Sequence, residues 1–169
     1  ALGIGTASGF PAVLLCTSGT AATHFHGAVV EAHQSDAPMI VCTADRPPEL
    51  RDVGAAQTID QTHLFGSAVR WFHDPGVPSR DAAATWRSLA ARTVQVAVGV
   101  RPGPVHLNLP FREPLTGEVI EMPPSREKKW SDIIRLGAFE NQDLTEIVDA
   151  IGATLLPSIH DYVFSMHQS

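Results

Sequence analysis

The sequence predicts an α/β fold: a parallel sheet with helices on both faces. Three observations carry that prediction. Continuous apolar runs recur, as at residues 12–16 and 39–42, and such runs belong to strands covered on both sides. Segments with helical spacing of apolar residues lie between the runs. Glycine and proline cluster at the junctions, so strand and helix alternate along the chain, the pattern of parallel crossover units.

In chain order, Ala1 to Ser8 reads as the tail of a helix, stopped by Gly9 and Pro11. Ala12 to Cys16 is the first strand, expected to be buried on both faces. Thr17 to Thr20 is a turn, and Ala21 to Gln34 fits a helix with Phe25, Val29 and Ala32 at i, i+4 and i+7. Met39 to Ala44 is a second buried strand. From Asp45 to Thr62 the composition turns to Arg, Pro, Gly, Asp and Gln, a long loop of the kind that carries function in compact domains.

Val69 to His73 is a short strand. Ser79 to Gly99 is a long helix, with Ser79 or Asp81 near its cap and Trp86, Leu89, Ala90, Thr93, Val94 and Ala97 on one face. Val105 to Leu109 alternates apolar and polar residues as a strand. Beyond Pro110, prolines 114, 123 and 124 mark a linker, followed by one amphipathic helix with Leu144, Ile147, Val148 and Ile151 at helical spacing and Gly152 past its end. The organisation expected is a domain over residues 1–118, then a linker and a short helical tail over 119–169.

Composition bounds the function. Of the 169 residues, 44% are hydrophobic and 18% charged, a globular balance that excludes a disordered chain. Twelve basic against 18 acidic residues give a net charge of -6 with no basic run, which argues against nucleic acid as the main partner. No apolar stretch reaches the roughly 18 residues of a membrane helix. Cys16 and Cys42 end apolar runs and read as buried thiols in a reducing compartment, and with no signal peptide the expectation is a cytoplasmic protein. The opening Ala1-Leu2-Gly3-Ile4 is already apolar, so the chain is expected to be a piece of a longer or processed protein.

Two loops at the carboxyl ends of the strands are the candidate ligand sites. In Thr17-Ser18-Gly19-Thr20, Gly19 permits close backbone approach and the helix start leaves amide N–H groups for an acceptor; an ordinary turn capped by Ser and Thr is the alternative. In Asp45-Arg46-Pro47-Pro48-Glu49-Leu50, two prolines stiffen the backbone behind Arg46, which suits a guanidinium that binds carboxylate or phosphate; a salt bridge to Asp45, Glu49 or Asp52 is the alternative. Gln57 offers both a donor and an acceptor. The eight histidines show no metal-ligand spacing, and neither a phosphate loop nor a nucleophile elbow is present.

Four ordered motifs carry a resemblance. They are Cys16-Thr17-Ser18-Gly19-Thr20-Ala21, Thr43-Ala44-Asp45-Arg46-Pro47-Pro48-Glu49-Leu50, Gly54-Ala55-Ala56-Gln57-Thr58-Ile59-Asp60-Gln61, and Gly103 through Leu115. Over residues 1–118 the chain resembles the pyrimidine-binding domain of thiamine-diphosphate enzymes, and most closely the menaquinone-pathway synthases that join 2-oxoglutarate to isochorismate with loss of CO2. The resemblance implies thiamine diphosphate and a Mg2+ (or manganese) ion as cofactors. It implies Ser18, Gly19, Thr20 and Gln57 beside the cofactor, and Arg46 and Gln57 as substrate-binding residues.

It also implies a catalytic glutamate just upstream of Ala1, so no catalytic residue is assigned within the chain. The metal and diphosphate motif would lie in a later domain, and the site would be shared between subunits of a homodimer or homotetramer. The 169 residues alone are expected to be inactive. An acetolactate-synthase-like carboligase, a non-catalytic binding module and a plain nucleotide-binding domain are the rival readings.

Overall fold

In the computed structural model, residues 1–115 are described; the expected linker and tail helix of residues 119–169 lie outside them. The sheet is parallel and four-stranded, in the order β1-β2-β4-β3, with β1 at Ala12–Cys16, β2 at Met39–Asp45, β3 at Trp71–His73 and β4 at Pro104–Pro110. Helix α1 (Leu2–Ser8) precedes β1, α2 (His26–Gln34) links β1 to β2, and α3 (Trp86–Ala97) links β3 to β4. The α/β class read from the sequence holds.

The period of two along β2 explains why both faces carry a core. Met39 and Val41 pack with Val29 and Ala32 of α2 and with Phe65, while Ile40 on the opposite face packs with Ala97, Val98, Val105 and Leu107 beneath α3. A strand wedged between two helical layers has no solvent side, so it is apolar at successive positions until Thr43. The two central strands, β2 and β4, run in register from Met39 opposite Pro104 to Asp45 opposite Pro110.

Several details differ from the sequence reading, each for a physical reason. Strand β1 is an edge strand covered on one face only: Leu14 joins the α2 core, whereas Val13 and Leu15 are 66% and 74% exposed, because α3 does not reach across to it. The helix expected from Ala21 begins as a 3-10 turn over Gly19–Phe25, where the Thr23 hydroxyl donates back to Thr20 O at 2.7 Å, and becomes α-helical only at His26. Similarly, the helix expected over residues 79–99 opens with a 3-10 turn at Ala83–Thr85. Ser79 does sit at its start, accepting from Ala82 N at 3.2 Å.

Within α3, Thr93 and Ala97 are buried and Leu89 and Val96 join the core, but Ala90 and Val94 face solvent. Burying Thr93 is possible because its hydroxyl donates to Leu89 O. Strand β3 is shorter than expected, and Val69 turns to the α2 core. Cys16 and Cys42 are half-buried free thiols rather than fully buried ones. In β4 the polar members of the alternation, His106 and Asn108, are fully buried instead of facing water.

Core and edge should respond differently to truncation. Phe65→Ala removes a side chain that is 2% exposed and should cost about 3–5 kcal/mol. Leu15→Ala should cost less than about 1 kcal/mol, since most of that side chain is already in water. Urea midpoints at unchanged slope measure both.

Candidate functional site

The carboxyl ends of β1, β2, β3 and β4 are joined by one buried polar network, and Asn108 of β4 is its hub. Its Nδ2 donates to Asp45 Oδ2 at 2.8 Å and to Asp74 Oδ2 at 3.2 Å. Its Oδ1 accepts from the Thr43 hydroxyl at 2.9 Å and from Gln61 Nε2 at 2.8 Å. With two carboxylates on one side and two donors on the other, only one orientation of the amide satisfies all four partners. Arg51 closes the acidic side, its Nη2 lying 2.8 Å from Asp45 and 3.2 Å from Asp74.

The proton order follows along the chain of contacts. Thr43 has one hydroxyl proton and gives it to Asn108, so it accepts from His106 Nε2 at 2.9 Å, and His106 carries its proton on Nε2. Nδ1 of His106 is left buried without a partner among the described residues. Burial, reinforced by the nearby charge on His63, holds its pKa down at about 4, against a smaller opposing pull from Asp74. The ring is wedged between Phe65 and Phe72, at centroid distances of 4.7 and 5.1 Å.

Gln61 passes the network to the first candidate loop. Its Oε1 accepts from Gly19 N at 2.7 Å while its Nε2 also donates to Ala44 O at 3.0 Å. Ser18 donates its hydroxyl to Gln57 O at 3.0 Å, and Gln57 Nε2 returns to Thr17 Oγ1 at 2.7 Å and Ser18 O at 3.1 Å. Gly19 has φ of +82°, and a Cβ there would lie 3.0 Å from Gln57 O. The close approach that Gly19 permits is therefore to the Gln57 backbone, itself held in the left-handed region at φ of 58°.

This corrects two readings of the loop. The Gly19 amide is not free for a ligand, because Gln61 uses it. Ser18 is not a side-chain cap either. Thr20 is exposed, and Oε1 of Gln57 has no hydrogen-bond partner among the described residues.

Arg46 lies in a separate part of the same end. Of the three carboxylates expected to neutralise it, Asp45 pairs with Arg51 and Glu49 with Arg112, and Asp52 makes no ion pair among the described residues. Among the described residues the Arg46 guanidinium makes no ion pair, and its Nε is buried without an acceptor. No hydrogen bond joins Arg46 to Gln57 there; they are connected through Asp45, Asn108, Gln61 and Gly19. No group of three or more His, Cys, Asp or Glu is placed to hold a metal among these residues, so the implied Mg2+ finds no ligand set in residues 1–115.

Gln61, Asn108, Thr43, Arg51 and Asp74 were not singled out from the sequence. Asn108 and His106 did leave a signal: polar residues spaced by two in a strand between two helical layers have no water to face, so they must bond one another.

Three outcomes test this arrangement. Asn108→Asp places a third carboxylate against Asp45 and Asp74 and should destabilise the fold by about 3 kcal/mol or more in urea unfolding. Gly19→Ala should cost about 1–2 kcal/mol, with Gln57 amide resonances displaced. Because His106 stays neutral down to about pH 4 when folded but titrates near its ordinary 6.5 when unfolded, the unfolded state binds more protons in that interval. Stability should then fall as pH drops from 6.5 to 4, by roughly 3 kcal/mol in total. His106→Gln, which keeps a donor for Thr43, should remove that slope.

Residues 1–64 match the model of the thiamine pyrophosphate enzyme N-terminal TPP binding domain. The chain is 58% identical over 120 residues to the 2-succinyl-5-enolpyruvyl-6-hydroxy-3-cyclohexene-1-carboxylate synthase of Thermobifida fusca, covering 70% of this chain and 22% of that protein. Proteins of the same name show 53% identity in Geobacillus kaustophilus, covering 72% and 21%, and 47% in Saccharopolyspora erythraea, covering 87% and 26%. The chain thus spans about a quarter or less of the length of the curated relatives it matches. By these matches the chain belongs to the thiamine pyrophosphate enzymes, in the branch that the 2-succinyl-5-enolpyruvyl-6-hydroxy-3-cyclohexene-1-carboxylate synthases represent.

Proposed function

We propose that residues 1–118 form the pyrimidine-side half of a thiamine-diphosphate-dependent carboligase that decarboxylates 2-oxoglutarate and adds the succinyl unit to isochorismate, with residues 119–169 leading onward. The observation that carries this reading is Arg46: a guanidinium at the carboxyl end of a parallel sheet, with its Nε buried without an acceptor among the described residues, while Asp45 and Glu49 are committed to other arginines. A desolvated donor without an acceptor gains more from an incoming carboxylate than a solvated one does. Both substrates carry carboxylates.

The loop residues fit a role beside the aminopyrimidine. Oε1 of Gln57, without a partner among the described residues, is an acceptor suited to an amino group, and Gln61 holds the Gly19 amide in the neighbouring Ser18–Gly19–Thr20 loop. When bound, thiamine diphosphate supplies the electron sink that decarboxylation of a 2-oxo acid requires. Arg46 binds and orients a substrate carboxylate, and Gln57 faces both cofactor and substrate. The Mg2+ that holds the diphosphate belongs to residues beyond 1–115, the site is completed across a homodimer or homotetramer, and the enzyme works in the cytoplasm.

The reading is tested by grafting residues 1–115 into the Thermobifida fusca synthase in place of the corresponding segment. The graft should form product from 2-oxoglutarate and isochorismate and not couple pyruvate. Arg46→Ala should raise KM for one substrate by roughly 10- to 100-fold. Coupling of pyruvate instead would favour an acetolactate-type carboligase. Product formed by the 169-residue chain alone would show that the site is not shared.

A further inference from the structure

The groove beside Arg46 contains a second guanidinium whose present partner is a removable one. Arg46, Leu50, Phe111 and Arg112 line it together with two carboxylates, Glu49 and Glu113. The pairing of Asp45 with Pro110 in the sheet, extended by Phe111 N donating to Asp45 O at 3.1 Å, brings the Arg46 and Arg112 segments side by side. Arg112 grips Glu49 in bidentate fashion, through Nε to Oε1 and through Nη2 to Oε2 at 2.8 Å. Fork-to-carboxylate geometry of this kind is how a substrate carboxylate would be held.

We propose that Glu49 is an internal stand-in for substrate: it occupies Arg112 in the free protein and is displaced when a small dicarboxylate spans Arg46 and Arg112. This rests on the carboligase reading above and assigns Arg112 as a further substrate-recognising residue. The energetics favour exchange. About half of each of the Glu49 and Arg112 side chains is exposed, and water screens and competes for such surface pairs, so the pair opens readily. Arg46 beside it has a buried donor that no group among the described residues satisfies, so a ligand that engages both arginines gains at Arg46 and loses little at Arg112.

The stand-in also has a purpose when no ligand is bound. Two guanidinia facing one groove repel each other, and Glu49 neutralises one of them while leaving Arg46 open. The groove's other wall is apolar, with Leu50 and Phe111 partly exposed, which suits the carbon skeleton between two carboxylates. A monocarboxylate would satisfy Arg46 alone and leave the Glu49–Arg112 pair closed.

Arginine Nε–Hε and glutamate carboxyl resonances of the 169-residue chain, titrated with 2-oxoglutarate and with the monocarboxylate 2-oxobutyrate, provide the test. With 2-oxoglutarate, both Arg46 and Arg112 should shift, and the Glu49 carboxyl, held at about 2 by Arg112, should move toward its ordinary 4.5. With 2-oxobutyrate only Arg46 should respond. Glu49→Gln should tighten 2-oxoglutarate binding by about 2- to 5-fold, and Arg112→Gln should weaken it by about 10-fold. If Arg46 shifts while Arg112 and Glu49 stay still and Arg112→Gln binds as well as the parent, the exchange is overturned and the carboligase reading stands. If neither arginine responds to either acid, the exchange is overturned, and the graft into the Thermobifida fusca synthase decides the carboligase reading separately.

Discussion

The amide of Asn108 is the constraint on which this end of the molecule depends. It stands between two carboxylates and two neutral donors, and its own dipole is what allows both pairs to be buried within one side chain of each other. An asparagine is matched to that task because it donates twice and accepts twice. Arg51 then neutralises the acidic side, and Gln61 extends the neutral side to the loop after β1. Interior hydrogen bonds are costly to leave unmade, so the network behaves as a unit rather than a sum of pairs.

That unit explains how loops from different strands are held in fixed relation without a metal or disulfide among the described residues. Gly19 is anchored from one side by Gln61 and from the other by Gln57, whose strained backbone the surrounding bonds enforce. Asp45 receives Asn108, Arg51 and the Arg46 amide, which sets the direction in which the chain leaves β2. Two prolines then carry the backbone away stiffly, so Arg46 is delivered to its groove by a rigid arm. Site geometry here is a consequence of core chemistry.

The division of acid and base around Arg46 follows the same logic. Asp45 and Asp74 pair with Arg51 and Glu49 pairs with Arg112 at this end of the sheet, which leaves Arg46 without an ion pair among the described residues. Asp45 and Asp74 share Arg51 because Asn108 holds them together, and Glu49 is drawn to Arg112 because the β2–β4 register brings their segments alongside. A cation left without a partner in a groove with an apolar wall is an arrangement for an anionic ligand with a carbon skeleton.

Local chemistry settled much of this in advance. The boundaries of β1, the start of β2 and the stop after α1 are visible because apolar runs and Gly or Pro junctions act over a few residues. Arg46 and Gln57 could be raised as binding candidates in the same way, since a guanidinium behind two prolines and an amide in a polar loop have bonding capacity to offer. Which carboxylate each arginine would choose was not legible, because Asp45, Glu49, Asp52 and Asp74 are equally near in composition and differ only in where the sheet carries them. Nor could the run Val13-Leu14-Leu15 reveal that one of its faces would be left bare, or the alternation of β4 reveal which partners the buried His106 and Asn108 would find. Residue type and spacing determine the elements and the kinds of bond available; strand order and register decide which partners meet, because those distances exist only after the chain has closed on itself.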